Sequence, residues 1–163
     1  MKKLLLLVPV LLLFLSACNS ESAENYKQML GAYERNDTEM IKLLDQTAEN
    51  INSESNRDKA LQTINETVIP EIGDFRQTIK NYTLSDDEHV KVQKSMITYL
   101  DNLENLMAQY SKFNEEFFFV NPLADHSITE KYSDALDNIS AQEEKVEASK
   151  KEVNQLIGDN KAE

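Results

Sequence analysis

Apolar residues recur along most of this chain at intervals of three and four, the spacing that puts them on one face of a helix. From about Ala23 to Asn52 the stripe is Tyr26, Leu30, Tyr33, Met40, Leu44 and Ile51, with Asp37 and Thr47 as polar interruptions. Asn36-Asp37-Thr38 favours caps over helix interiors, because short polar side chains compete for their own backbone groups. The stretch is still read as one helix. A second helix is expected from about Ser55 to Tyr82, with Leu61, Ile64, Val68, Ile72, Phe75, Ile79 and Tyr82 on its inner face. Pro70 lies inside it, with Gly73 soon after, and a proline there must remove a backbone hydrogen bond. A kink or short break is expected at that point.

The third helix has the clearest pattern. Ser85-Asp86-Asp87-Glu88 reads as a capping box, in which Ser85 and Glu88 each satisfy a free backbone donor of the other. Val92, Met96, Tyr99, Leu103, Leu106, Tyr110, Phe113 and Phe117 then alternate steps of four and three, a heptad seam. Asn121-Pro122 marks a loop, and Ser127 to Glu130 offers another capping box. The last helix carries Ile128, Tyr132, Ala135, Ile139, Val146, Val153 and Leu156 to Gly158, an expected C-cap. Gln142 and Ser149 interrupt its stripe, so this helix is expected to bury less. Helices of about 30 residues are about 45 Å long at 1.5 Å per residue. Short connections near Ser53 and Thr83 make successive helices antiparallel neighbours. The expected fold is all-α, an elongated antiparallel bundle of four helices, with a three-helix or dimeric coiled-coil arrangement as runner-up.

The first residues follow another logic. Met1-Lys2-Lys3 is a short basic start, Leu4 to Leu15 is an apolar run, and small residues follow, which is the pattern of a secretory signal. The run is short of the roughly 20 residues that span a bilayer. Leu15-Ser16-Ala17-Cys18 resembles the lipobox of bacterial lipoproteins. That resemblance implies diacylglycerol on Cys18 through a thioether, cleavage before it, and retention on the extracytoplasmic face of the cell membrane. Two acyl chains form a stable anchor. The expected organisation is a signal peptide over 1–17, an anchored tether over 18–24, a helical bundle over 25–158 and a polar tail over 159–163.

Composition narrows the function. The 163 residues carry 17 Lys and Arg against 29 Asp and Glu, a net charge of −12. Such a chain is a poor ligand for nucleic acid and is repelled by anionic headgroups. Three Gly, three Pro and no Trp argue against a β-rich domain that needs frequent turns. Cys18 is the single cysteine, so no internal disulfide or multi-cysteine metal motif exists.

No nucleophile elbow, phosphate-binding glycine loop or His-Glu-x-x-His motif occurs. The two histidines, His89 and His126, each stand beside acids, which reads as charge favouring a helix start rather than as a metal site. The acids and lysines from Glu143 to Glu152 read as a solvated face with pairs such as Glu147 to Lys151. Six tyrosines fall mostly on core stripes, and a tyrosine-lined pocket for a small ligand is the rival use of that core.

Phe117-Phe118-Phe119-Val120 stands apart, because consecutive helical residues point about 100° apart and cannot all face one stripe. The plainer expectation is that residues 121–126 fold over them as a lid. The alternative leaves Phe118, Phe119 and Val120 exposed as a contact for a partner.

With Lys112-Phe113-Asn114-Glu115 set in heptads after a lipobox, the chain is similar in character to small helical lipoproteins of Gram-positive bacteria described as putative cell-wall-binding lipoproteins. Cys18 is the one functional residue that similarity carries over. The expected function is that of a lipid-anchored, non-enzymatic binding or scaffold module of the cell envelope. It would be a monomer, with no cofactor or metal, docking a protein partner through Phe118, Phe119 and Val120. A small-ligand-binding protein using the bundle interior, or a cell-wall-associated lipoprotein, is the alternative.

Overall fold

Five α-helices and one π-turn follow each other along the chain: α1 (Leu7–Ser53), α2 (Arg57–Thr63), the π-turn (Ile64–Val68), α3 (Ile69–Lys80), α4 (Asp87–Phe117) and α5 (His126–Asn160). This computed structural model describes residues 7–53, 57–121, 123 and 126–160, without the side chains of 7–20, 51–53, 57, 60 and 126. The side chains of Cys18, Ile51 and His126, and residues 161–163 of the expected tail, lie outside the described residues. Among the described residues there is no strand. Because α2, the π-turn and α3 run on as one rod, four rods make an all-α antiparallel bundle, the expected fold class.

The π-turn is the form that the expected break takes. Pro70, near the start of α3, has no N–H to give, and in α-helical register its ring would meet the carbonyl of residue 66. Ile69 instead donates its N–H to the Ile64 carbonyl, five residues back, so the wider turn absorbs the proline. The rod therefore continues past Pro70 without a loop.

The rods alternate in direction. Tyr26 of α1 lies on His89 near the start of α4, so those two run parallel, while Phe117 at the end of α4 meets Tyr132 near the start of α5. The second rod and α5 both pack on α4, and α1 packs on the second rod. Met29, Val68, Ile72, Ile79, Val92, Met96, Leu100 and Val153 form a fully buried seam drawn from all four rods. Burying each such side chain contributes roughly 1.5–3 kcal/mol, enough for the seam to dominate over helix propensity.

Several local expectations change. The cap of α4 is Asp86, whose Oδ1 accepts from the N–H groups of Glu88 and His89 at 3.0 and 3.1 Å. Ser85 is not the cap; its own N–H donates to Ser22 Oγ across the bundle. Helix α5 starts at His126, ahead of Ser127, and continues through Gly158, which shows no left-handed backbone. Residues 18–24, expected as a tether, continue α1, and Ser22 is buried in the bundle. Helix α5 does bury fewer apolar residues than α4, Ile139 and Val153 among those described, and Gln142 and Ser149 lie buried on its inner face. Asn102 of α4 satisfies both: its carbonyl accepts from Gln142 at 2.9 Å, and its side-chain amide donates to Ser149 Oγ at 3.3 Å.

Candidate functional site

At mid-height the bundle holds a polar cluster in place of apolar packing. Asp37, read as an interruption of the α1 stripe, accepts from Lys150 Nζ of α5 at 3.1 Å and from the Tyr99 hydroxyl of α4 at 3.3 Å. Lys150 Nζ also stands over the Tyr99 ring, 5.3 Å from its centre. This cluster ties α1 to α5. Burial pushes the Tyr99 hydroxyl well above its ordinary pKa, and the Asp37 charge and hydrogen bond add to that. The buried Tyr33 hydroxyl is raised in the same way, by burial, then Asp37, then Tyr99. Of the two, only the Tyr99 hydroxyl makes a described hydrogen bond between helices, to Asp37.

A second polar contact joins the second rod to α4, where Arg76 pairs with both Asp101 and Glu104. Burial would lower the Arg76 pKa, yet the two carboxylates outweigh it and hold the guanidinium above its usual value. Further along the α4–α5 seam the Tyr110 hydroxyl donates to Glu143. Burial, then that bond and charge, push Tyr110 up to about 12.

The Tyr26 and Tyr33 hydroxyls are buried without hydrogen-bond partners, which is what a tyrosine-lined pocket would need. The clefts beside Gln109, Ser95, Gly31 and Asn36, however, open on the surface and have no tyrosine in their walls. Among the described residues no three His, Cys, Asp or Glu side chains are grouped to hold a metal. His89 stacks on Tyr26 with ring centres 3.7 Å apart and stands 3.8 Å from Asp86, the cap of its helix.

The end of the bundle between α4 and α5 differs from the rest. Phe113, Phe117 and Tyr132 form a three-ring cluster with centres 5.2 to 5.3 Å apart, and Phe117 is only 7% exposed. The chain then leaves the helix. Phe118 donates its N–H to the Asn114 carbonyl and Val120 to that of Phe117, a tight local turn. Asn121 Oδ1 accepts from the Leu123 N–H at 3.0 Å, an Asx turn that sets the loop outward. Phe118 and Val120 are half-buried, Phe119 is 77% exposed against the edge of Phe118, and Leu123 is 86% exposed.

Phe119 is therefore exposed, and Pro122, Ala124 and Asp125 of the loop expected to cover it lie outside the described residues. Sequence reasoning missed Leu123. The signal was available: a lone large apolar residue between Pro122 and Ala124, in a loop whose Asn121 favours an outward turn. Among the described residues, the exposed large apolar side chains are Ile41, Phe119, Leu123 and Leu136, and all but Ile41 fall between 119 and 136.

Beside this tip, a cleft of about 370 Å³ runs between α4 and α5, with Phe113, Phe117, Ala135 and Ile139 in its walls and Lys112, Glu116, Lys131 and Asp134 around it. Gln109 also lines this cleft, while its amide oxygen is buried and has no hydrogen-bond partner. At the opposite end lies Ser22, which follows Cys18 by one helical turn. Helix α4 spans 31 residues between the two ends, about 46 Å at 1.5 Å per residue.

Set against protein families, curated proteins and solved structures, the chain matches none. No helix among the described residues is long and apolar enough to cross a membrane.

Proposed function

We propose that this chain is a lipid-anchored interaction module of the bacterial cell envelope, non-enzymatic, that docks a partner protein through the tip formed by Phe118, Phe119, Val120 and Leu123. The observation that carries this reading is the exposure of Phe119 and Leu123, at 77% and 86%, well above that of Ile41 and Leu136, the other exposed large apolar side chains among the described residues. Exposed apolar side chains gathered at one place, amid polar surface, mark a contact site more often than chance scatter does.

The anchor reading rests on Leu15-Ser16-Ala17-Cys18 after an apolar run. With lipid on Cys18, the turn of α1 that follows Cys18 stands at the membrane and the tip points away from it by the length of α4. A tip so placed meets envelope proteins rather than the lipid that holds the anchor. An interior ligand site has the unpaired Tyr26 and Tyr33 hydroxyls in its favour, but the tight seam around Met29, Met96 and Leu100 leaves the weight with the surface.

The test uses intact cells. Cys18→Ala should abolish incorporation of labelled fatty acid and release the protein from the membrane fraction. A photo-crosslinking residue at position 119 should capture a defined envelope protein, while the same residue at exposed Glu144 should not. Unchanged lipid labelling in the first variant would remove the anchor. Equal capture from both positions would remove the tip.

A further inference from the structure

The tip has a charge setting as well as an apolar surface. From Lys112 to Asp137 the sequence carries six acidic residues, Glu115, Glu116, Asp125, Glu130, Asp134 and Asp137, against two lysines. Glu116 and Asp134 are exposed and face the cleft beside Phe117 from its two sides. The whole chain is acidic, with an isoelectric point near 4.6. A second copy of this chain would bring like charge against like. A polyanion or an anionic membrane would be repelled for the same reason. Exposed apolar anchors and a surplus of carboxylates at this end of the bundle together complement one chemistry.

We infer that the partner surface seated on this tip is a basic polypeptide segment, with Lys or Arg side chains flanking at least one large apolar side chain. The inference rests on the reading of the tip as a docking site and adds the partner's class. The apolar side chain packs against Phe119 and Leu123 or enters the cleft floored by Phe113 and Phe117. Within the cleft Lys112 and Lys131 balance Glu116 and Asp134, so the flanking cations draw also on the exposed Glu130 and Asp137 of α5, which leave this end of the bundle acidic. Charge then sets the rate and selectivity of encounter, and the apolar contact sets residence.

The experiment places the full-length protein in nanodiscs of zwitterionic lipid, with empty discs as the blank, and follows three labelled peptides by fluorescence anisotropy. One alternates Lys and Leu clusters as an amphipathic helix, the second replaces Lys with Glu, and the third replaces Leu with Ser. The Lys/Leu peptide should bind above the blank and weaken as salt rises. The other two should bind at least about tenfold less tightly. Phe119→Ser with Leu123→Ser should remove the binding, and Glu116→Lys with Asp134→Lys should weaken it at least about tenfold. All four positions are exposed, so an unchanged circular dichroism melt is expected and verifies that each variant is folded.

Binding of the Glu/Leu peptide as tightly as the Lys/Leu peptide would overturn the inference while leaving the tip as a docking site. Loss on the tip change with no response to charge reversal would do the same. Insensitivity of all binding to the tip change would sink both the inference and the reading beneath it. Two further results would overturn the basic partner in favour of another occupant: self-association in sedimentation that the tip change abolishes, and tip-dependent binding to protein-free vesicles.

Discussion

The two ends of the bundle solve the same problem in opposite ways. At the end where α1 emerges, the chain turns from α3 into α4 through residues 81–86, and neighbouring helices supply the partners for its backbone. Gln93 donates its side-chain amide to the Ile79 and Tyr82 carbonyls, Asn25 donates to the Thr83 carbonyl, and Ser22 accepts from the Ser85 N–H. Asp86 caps the next helix. At the other end, where α4 gives way to α5, the hydrogen bonds recorded for residues 118–123 come from within four residues of each donor. Long-range polar bonds close the first end. The second end leaves Phe119 and Leu123 outside. A loop whose described polar contacts are local can carry residues for contact.

Two neighbouring phenylalanines break or keep that contrast most directly. Phe117 belongs to the three-ring cluster, so Phe117→Ala should destabilise the protein by about 3 kcal/mol, the low end of the range for a buried Phe. Phe119→Ala, two residues on, should stay within about 0.5 kcal/mol of the parent. Urea midpoints of the two variants measure this. Comparable losses from both would mean that Phe119 is covered in solution and that the lid exists after all.

At the polar end a smaller effect is expected. Asp86→Ala removes the acceptor for the Glu88 and His89 N–H groups and should cost about 1 kcal/mol. Ser85→Ala, by contrast, should be nearly silent, since Ser85 contributes its backbone N–H rather than its hydroxyl to Ser22. A larger loss at Ser85 than at Asp86 would restore the capping box read from the sequence.

Those two residues show where the sequence was legible and where it stopped. The heptads of α4 are long and regular, so periodicity alone located the seam from Val92 to Phe117. Pro70 announced a disturbance, but the sequence could not distinguish a broken helix from a π-turn, because both accommodate a residue that has no N–H. Asp37, Gln142 and Ser149 looked like defects in apolar stripes. They are buried because partners on other helices, Tyr99, Lys150 and Asn102, complete their hydrogen bonds. Pairings between residues 40 to 113 positions apart leave no trace in local spacing. At the tip, helical geometry required that some of Phe117 to Val120 face outward. It did not say which, and the turn at Asn121 that exposes Leu123 is a loop property invisible to periodicity.

The smallest expected effect concerns Tyr26, whose ring stacks on His89 at the polar end while its hydroxyl is buried without a hydrogen-bond partner. Tyr26→Phe keeps the stack and removes an unsatisfied polar atom, so at pH 7 stability should be unchanged or slightly higher. Alkaline pH separates the two proteins. Burial, and secondarily the Asp86 charge, raise the Tyr26 pKa in the folded state above its ordinary value of 10.0. The folded protein then holds its proton longer than the unfolded chain. The stability linked to that proton is complete below pH 10 and falls as pH rises through the folded value. Phe at this position has no such loss, whereas Tyr33 and Tyr99, raised likewise, keep theirs. Urea midpoints at pH 7 and pH 10.5 should therefore diverge in favour of the variant only at the higher pH. A loss of more than about 1 kcal/mol at pH 7 would instead show that the hydroxyl has found a partner in solution and that this end is held by one more polar bond than those described.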